Sequence, residues 1–291
     1  MLQLKQNFDL SLSTTLRMQS KARYYFEART REDLINAKKY SIEHNIPLLI
    51  IGGGSNLVLL KHEINGLVVK NLYMKKEVIS EDEDKVELLV SSGYPVAKLV
   101  NETVEAGISG FEYHLGLPGT VGGAIYMNSK WTNPVCYFGD DLIFAYLVSS
   151  SGEVKKVDRD YFQFAYDTSI LQKTGEVLLE AAFRLKKSDK EELKKKAREA
   201  LEYRKKTQPF GVASSGCIFR NVDGKSAGEM IDKAGLKGLK MGDFIISPTH
   251  ANFIINQGEG KSEDLRQLIQ VIKDKVREKF QVELKEEVIV V

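Results

Sequence analysis

Two glycine-rich loops constrain this chain more than any other feature. The first reads Gly52-Gly53-Gly54-Ser55-Asn56, and the second reads Gly116-Leu117-Pro118-Gly119-Thr120-Val121-Gly122-Gly123-Ala124. Because glycine has no side chain, consecutive backbone N–H groups can converge on an anion such as a pyrophosphate. A single run of glycines is about as often only a tight turn. Two such loops, each at the end of an apolar run, favour a bound anionic cofactor.

The two commoner nucleotide-binding motifs do not fit these loops. Gly52 and Gly54 begin a G-x-G-x-x-G pattern, but Leu57 stands at the third glycine position and further apolar residues follow it instead of an amphipathic helix. Neither loop ends in the Gly-Lys-Ser/Thr of a P-loop. The sequence therefore indicates a dinucleotide scaffold of another kind.

Composition excludes several classes of partner. The chain has 291 residues, 43% of them hydrophobic, which suffices for a sizeable core and about two domains. Its 42 Lys and Arg balance 40 Asp and Glu, so the charge gives no reason to expect nucleic acid or an anionic membrane as partner. We find no signal-peptide pattern or spanning apolar run and expect a cytoplasmic protein. Two cysteines and four histidines without ligand spacing predict no metal site.

Apolar residues recur with the period of a helix in some segments and form the short runs typical of strands in others, which predicts an α+β fold. Thr30-Arg31-Glu32-Asp33 resembles a capping box that opens a helix. A charged helix is predicted from Ser188 to about Lys206. The change to a strongly charged sequence at its start marks a domain boundary. The other predicted elements are strands at 46–51, 66–70, 86–91, 244–247 and 252–256, helices at 95–106, 227–234 and 262–280, and a strand in the apolar end of 282–291.

The basic end of the charged helix has two interpretations. Arg204, Lys205 and Lys206 lie where the helix dipole favours cations, so a solvated face is the simpler one. The same residues lead directly into the loop that contains Cys217, so they could hold a phosphate instead.

Six motifs together resemble one family, the UDP-N-acetylenolpyruvoylglucosamine reductases, over nearly the whole chain. They are Ile-Gly-Gly-Gly-Ser-Asn-Leu at 51–57, Gly-Leu-Pro-Gly-Thr-Val-Gly-Gly-Ala at 116–124, Ser-Ser-Gly-Cys-Ile-Phe-Arg-Asn at 214–221, Ala-Gly-Leu-Lys-Gly at 234–238, His-Ala-Asn-Phe-Ile-Ile-Asn at 250–256 and Leu-Lys-Glu-Glu-Val at 284–288. The chain lacks the inserted tyrosine-bearing loop of one subgroup and resembles the subgroup without it.

The resemblance implies an FAD-binding region of the vanillyl-alcohol-oxidase type at 1–187, in two subdomains of roughly 1–70 and 71–187. A smaller α+β substrate domain at 188–282 and a C-terminal strand at 283–291 would follow. Such enzymes pass hydride from NADPH through FAD to UDP-N-acetylglucosamine enolpyruvate, a UDP-sugar, and form UDP-N-acetylmuramate for peptidoglycan synthesis. The residues implied for FAD are Gly52, Gly53, Gly54, Ser55, Asn56, Gly119, Thr120, Gly122 and Gly123.

Two residues match the family's catalytic positions. Cys217 stands where the family has a serine that donates a proton, and a thiol, with a reference pKa of about 8.5, is a stronger acid than a hydroxyl. Glu287 matches the family's C-terminal glutamate, whereas Glu286 is expected to face solvent. For an arbitrary free cysteine, a buried core position is the commoner interpretation.

The substrate residues include one departure from the family. Asn221, Arg204 and Tyr166 are expected to bind substrate, but the family's Tyr-Arg-x-Ser reads Tyr166-Asp167-Thr168-Ser169 here. An anion thus replaces a cation that would meet the substrate carboxyl group. Lys130, Arg220 and Arg204 are the candidates to replace that cation.

Two alternatives stay open. One is a flavin oxidase or dehydrogenase of the same fold acting on another substrate, which the motifs at 214–256 argue against. The other is a flavin-binding module without turnover, and the presence of both Cys217 and Glu287 argues against it.

Overall fold

The chain contains both helices and strands, with several strands following one another directly, and the α+β prediction is confirmed. A computed structural model describes residues 2–291. The strands are β1 Lys5–Asp9, β2 Lys21–Ala28, β3 Leu48–Ile51, β4 Leu57–Val58, β5 Glu63–Asn71, β6 Lys76–Glu81, β7 Lys85–Ser91, β8 Ile108–Ser109, β9 Lys130–Thr132, β10 Val135–Tyr137, β11 Leu142–Val148, β12 Val154–Asp158, β13 Val177–Lys187, β14 Ala213–Cys217, β15 Lys240–Met241, β16 Phe244–Ile246, β17 Phe253–Asn256 and β18 Ile289–Val290. The helices are α1 Arg31–Glu43, α2 Val96–Glu105, α3 Val121–Met127, α4 Leu171–Thr174, α5 Lys190–Thr207, α6 Ala227–Lys233 and α7 Ser262–Phe280, with short 3-10 turns at Glu112–His114 and Asp160–Phe162.

Three sheets organise these strands. The largest has six strands in the order β12-β11-β13-β7-β6, with β8 also paired to β13, and all of its pairs are antiparallel. A four-stranded sheet has the order β1-β2-β5-β3, in which β3 and β5 run parallel. The third has the antiparallel order β14-β17-β16-β15. Two small pairs complete the set, the β9–β10 hairpin and the parallel pair of β4 with β18.

The chain forms two compact units that interleave along the sequence. The first contains residues up to 5, 25–53 and 66–204, and the second contains 6–24, 54–65 and 205–291. The functional domains proposed from the sequence, at 1–187, 188–282 and 283–291, follow motif order and stay a prediction. Contiguous motifs could not indicate that 6–24 and 54–65 fold with the C-terminal third.

Local chemistry sets the element boundaries. The capping box before α1 is confirmed, since the Thr30 hydroxyl accepts from the Asp33 N–H at 3.1 Å and the Asp33 carboxylate accepts from the Thr30 N–H at 2.9 Å. The charged helix α5 begins at Lys190, two residues later than predicted, because the Asp189 carboxylate caps it by accepting from the Glu192 N–H at 2.7 Å.

The C-terminal segment does return to a sheet, as predicted. The strand is shorter than expected, since only Ile289 and Val290 pair, with Leu57 and Val58 directly after the first glycine loop. The apolar run after that loop is therefore a strand and not a helix, which agrees with the rejection of the Rossmann motif.

The core of the first unit lies between the six-stranded sheet and helices α2 and α3. Fully buried members include Leu88, Val90, Leu99, Ile125 and Phe183. Across residues 2–291, no helix combines the length and the apolar character that crossing a bilayer requires. The same residues contain no group of three or more His, Cys, Asp or Glu side chains that could hold a metal ion.

Candidate active site

The two glycine loops meet within the first unit. Gly52 and Gly53 follow β3 directly, and a Cβ built on Gly53 would lie 2.6 Å from the Gly119 Cα. A Cβ on Gly52 would collide with the Thr120 hydroxyl. Only glycine permits this approach: at Gly53 backbone packs against backbone, and at Gly52 the Thr120 side chain occupies the space that a Cβ would need. The Lys70 amino group fixes the first loop further by donating to the Gly52 carbonyl at 2.7 Å, and burial lowers the pKa of Lys70.

The second loop leaves three backbone donors available. The N–H groups of Val121 and Gly122 donate to the carbonyls of Tyr94 and Ser92 at 2.9 and 2.8 Å. Those of Gly119, Thr120 and Gly123 donate to no acceptor among residues 2–291. A Cβ on Gly123 would meet nothing within 4 Å, and both Gly53 and Gly123 are exposed.

This arrangement fits a phosphate-bearing cofactor such as FAD. Backbone amides with no internal acceptor, beside a glycine that faces open space, are groups that can donate to a phosphate. The amide of Gly122 already donates to the Ser92 carbonyl, so the assignment of this residue to FAD stays a prediction that does not depend on that amide.

The remaining residues of the first loop belong to the second unit. Gly54 has φ +68°, and a Cβ there would lie 2.7 Å from the Thr14 Cα. Its carbonyl accepts from the Thr15 N–H at 3.1 Å, and the neighbouring Ser55 is half-buried. The Asn56 carbonyl accepts from the Ile289 N–H at 2.9 Å and its side-chain amide donates to the Glu287 carbonyl at 3.5 Å. Asn56 thus ties the loop to the segment that carries Glu287.

Cys217 and Glu287 lie on neighbouring segments of the second unit. Cys217 ends β14, and the Glu287 N–H donates to the carbonyl of Ile218, the next residue, at 2.8 Å. Phe219 forms a β-bridge with Glu286. Both Cys217 and Glu287 are half-buried.

The strand that carries Cys217 is irregular beside it. The register of β14 against β17 shifts between Ser214 and Cys217, and Gly216 has φ +81° with open space where a Cβ would be. The buried hydroxyls of Ser214 and Ser215 have no hydrogen-bond partner among the described residues. Unpaired polar groups in a native structure call for an explanation, and a ligand bound near this strand would provide one.

Asn252 supports the candidate site through the backbone, a contact that the sequence reasoning missed. It is 3% exposed, its side-chain oxygen accepts from the Phe219 N–H at 3.0 Å, and its side-chain nitrogen donates to the Phe219 carbonyl at 2.8 Å. Its own carbonyl accepts from the Ile218 N–H at 2.8 Å. Asn252 therefore fixes the backbone next to Cys217. In the sequence, the only indication of this contact was the asparagine within the 250–256 motif.

Tyr166 and Asp167 form the tip of a tight turn in the first unit. Ala165 and Thr168 exchange backbone hydrogen bonds at 3.2 and 3.3 Å, and Asp167 adopts φ +51°. Tyr166 is 37% exposed, and the Lys130 amino group lies 5.3 Å from the centre of its ring. Asp167 is buried. Lys130, one of the cations considered for the missing arginine, thus lies over Tyr166.

Arg204 differs from the two lysines that follow it. Its side chain is 7% exposed, whereas Lys205 and Lys206 are exposed. Its guanidinium carbon lies 4.7 Å from the centre of the Trp131 ring, which comes from β9. A solvated face is thus the wrong interpretation for Arg204; the exposure of Lys205 and Lys206 agrees with it, and a phosphate role for them stays a prediction.

Two further residues differ from expectation in detail. Glu286, expected to face solvent, is half-buried and pairs with Lys273 at 2.6 Å. Asn221 is exposed, and its side-chain oxygen accepts from the Ala227 N–H at 3.0 Å at the start of α6. This bond uses one of the groups through which Asn221 could contact a nucleotide and leaves its NH₂ group.

Comparison with known families gives matches over both parts of the chain. Residues 22–158 match the FAD binding domain family, and residues 208–291 match the C-terminal domain of UDP-N-acetylenolpyruvoylglucosamine reductase. The UDP-N-acetylenolpyruvoylglucosamine reductase of Chlamydia trachomatis is 37% identical over 269 residues, which cover 92% of this chain and 90% of the relative.

Solved structures give the same picture. The UDP-N-acetylenolpyruvylglucosamine reductase of Thermus caldophilus is similar with a TM-score of 0.84 and 30% identity, covering 100% of this chain and 99% of that one. The 6-hydroxy-D-nicotine oxidase of Arthrobacter nicotinovorans has a TM-score of 0.58 at 11% identity, covering 95% and 86% of the two chains. The latter likeness concerns the fold alone. The prediction of an FAD-binding fold of the oxidase type is confirmed.

Proposed function

The chain belongs to the UDP-N-acetylenolpyruvoylglucosamine reductase family, and we propose that it reduces UDP-N-acetylglucosamine enolpyruvate to UDP-N-acetylmuramate, with NADPH as reductant. The observation that carries this proposal is the pairing of the Cys217 and Glu287 segments in the second unit, where the Glu287 N–H donates to the Ile218 carbonyl. The product is a precursor of peptidoglycan, and we propose a cytoplasmic location because NADPH and UDP-sugars are made there.

FAD is the cofactor of the proposed reaction, and when bound it carries the hydride from NADPH to the enolpyruvyl group. The residues proposed to hold it are Gly52, Gly53, Gly54, Ser55, Asn56, Gly119, Thr120, Gly122 and Gly123. The unpaired amides of Gly119, Thr120 and Gly123 support this assignment most directly.

Cys217 is proposed as the proton donor. The reduction adds a hydride and a proton across the enolpyruvyl double bond, so the carbon that receives no hydride must take a proton from an acid within reach. The thiol would give its proton, become a thiolate and regain a proton from solvent after turnover. The open space beside Gly216 leaves room for substrate at this thiol.

Glu287 and three further residues complete the proposed site. Glu287 would polarise the substrate carboxylate or relay the proton, and its backbone bond to Ile218 holds it beside the Cys217 segment. Tyr166, Asn221 and Arg204 are proposed to bind substrate. The roles of 1–187 as FAD-binding region, 188–282 as substrate domain and 283–291 as the strand with Glu287 belong to the same proposal.

The test is product formation by the FAD-loaded protein. We expect NADPH consumption that depends on UDP-N-acetylglucosamine enolpyruvate, together with a product of the mass of UDP-N-acetylmuramate. If NADPH is consumed at the same rate with and without the sugar nucleotide, the protein is a flavin oxidase or dehydrogenase with another substrate. If FAD binds and NADPH is not consumed, it is a binding module, and either result overturns the proposal.

A further inference from the structure

The Lys130 side chain carries a charge that the fold positions but does not neutralise. Its amino group lies 5.8 Å from the centre of the Tyr137 ring and 5.3 Å from the centre of the Tyr166 ring. Among residues 2–291, this amino group donates to no acceptor and belongs to no ion pair. Lysine ordinarily keeps its amino group in water, whereas this residue is half-buried. An aromatic ring attracts a cation without cancelling its charge, so Lys130 can still bind an anion.

The β9–β10 hairpin fixes Lys130 beside Tyr137. The two residues stand directly opposite each other in the antiparallel register, so their side chains share one face of the hairpin. The Phe138 N–H donates to the Ser129 carbonyl at 2.8 Å, which extends the pairing beyond the two strands. The Lys130 side chain is therefore held on this face before any ligand binds, which reduces the entropy that binding would otherwise cost.

Asn128 ties this hairpin to the turn that carries Tyr166. It is 4% exposed, and its side-chain NH₂ group donates to the Ala165 carbonyl at 3.2 Å. Its side-chain oxygen accepts from the Gly139 N–H, just beyond the other end of the hairpin, at 3.3 Å. A single buried amide thus connects both ends of the hairpin with the turn, and this network keeps Lys130 over Tyr166.

The carboxyl groups next to the hairpin and the turn do not pair with Lys130. The Asp140 carboxylate lies 3.6 Å from the Arg159 guanidinium, so these two charges balance each other. Asp167, the buried residue after Tyr166, forms no ion pair with Lys130 either. A carboxyl group at this turn disfavours an anionic ligand there unless a cation stands beside it. Lys130 is a cation in that position, and its charge is not used within the chain.

We propose that Lys130 binds the carboxylate of the enolpyruvyl group and thereby distinguishes this substrate from sugar nucleotides that lack a carboxylate. The inference rests on the proposed function, in which Tyr166 contacts the same substrate. An ammonium group is a compact charge with three donors, which suits the oxygen of a carboxylate. Hydride addition to the enolpyruvyl double bond shifts negative charge toward that carboxylate, so the Lys130 charge also favours the transition state.

The test uses two ligands that differ by a carboxylate. UDP-N-acetylmuramate, the product, has one, whereas UDP-N-acetylglucosamine has the same nucleotide and sugar without it. Both are titrated by calorimetry into the FAD-loaded wild type and Lys130→Met. We expect Lys130→Met to bind UDP-N-acetylmuramate about 10- to 100-fold more weakly and UDP-N-acetylglucosamine with unchanged affinity.

Lys156→Met is the matched control. Lys156 is an exposed lysine of β12, and its amino group lies 3.7 Å from the centre of the Phe144 ring. This variant loses the same kind of contact between a cation and an aromatic ring, away from Tyr166. It should change neither affinity. Lys130→Arg keeps the charge and should keep the preference for the ligand with the carboxylate.

Each protein is compared with itself through the two ligands, so a general loss of stability does not imitate the loss of a carboxylate contact. Equal weakening for both ligands in Lys130→Met would assign the charge to the diphosphate or to folding and overturn the proposal. Unchanged affinity for both would overturn it as well. If Lys130→Met does not fold, Lys130→Gln is measured in its place and decides in the same way. Turnover by the wild type separates the two claims: turnover with an unchanged preference in the variant refutes Lys130 alone, and a wild type that binds neither sugar nucleotide refutes the proposed function with it.

Discussion

Gly123→Ala tests the assignment of the second glycine loop to FAD, because the structure separates its effect on folding from its effect on binding. A Cβ at this position meets nothing within 4 Å, and Gly123 lies inside helix α3. Alanine is favoured over glycine in a helix by about 1 kcal/mol, so the variant should unfold at the same or a slightly higher temperature. The new methyl group would occupy the space beside the unpaired amides of Gly119, Thr120 and Gly123.

A lost hydrogen bond to a charged group costs about 1.5–3 kcal/mol, which corresponds to roughly a 10- to 100-fold weaker affinity for FAD. The matched contrast is Gly53→Ala, whose Cβ would lie 2.6 Å from the Gly119 Cα. Overpacking of this kind costs about 1–3 kcal/mol and should destabilise the deflavinated protein itself. FAD affinity is measured by flavin fluorescence during titration, and stability by thermal unfolding. If the Gly123→Ala variant binds FAD as tightly as the wild type, the assignment of the second glycine loop to FAD is refuted.

Three further predictions concern the chemistry and the stability of the protein. Cys217→Ala should abolish reduction of the sugar nucleotide while NADPH still bleaches the flavin, and equal substrate reduction by the variant would contradict the proton-donor role. Asn252→Ala leaves two buried backbone groups of Phe219 unpaired, which should cost about 2–4 kcal/mol of unfolding free energy in chemical denaturation and slow reoxidation of the flavin by substrate. Asn256→Ala, at a position that is also buried, should lose stability without that kinetic effect. Burial and neighbouring carboxylates raise the pKa of Asp141 to about 6, so its contribution to stability is present below about pH 4 and is lost as pH rises through 6. In Asp141→Asn this part of the pH dependence should vanish.

Much of the local structure was predictable because local chemistry determines it. The capping box at Thr30 and the glycine loop after a buried strand are short-range features, and both are where the sequence indicated. The motifs also predicted that the two loops serve one ligand. What they could not indicate is which backbone groups remain unpaired, since Gly122 and Gly123 look alike in sequence and differ only in whether a neighbouring carbonyl is within reach.

The properties that sequence reasoning missed depend on long-range packing. Periodicity puts Arg204 on the buried face of α5, four residues after Ala200, but residue type favoured solvent there. Only the fold brings Trp131 and Gly116 to that position. Asn252 was missed because its partner, Phe219, is distant in sequence, and an asparagine within an apolar strand motif was the available signal.

The most direct test of the central claim is the visible spectrum of the purified, FAD-loaded protein under anaerobic conditions. NADPH is added first and UDP-N-acetylglucosamine enolpyruvate second, while the oxidised flavin band is followed. The account predicts bleaching with NADPH and recovery of the band with the sugar nucleotide. Bleaching that the sugar nucleotide does not reverse, or the absence of a flavin band after FAD has been added, would contradict it.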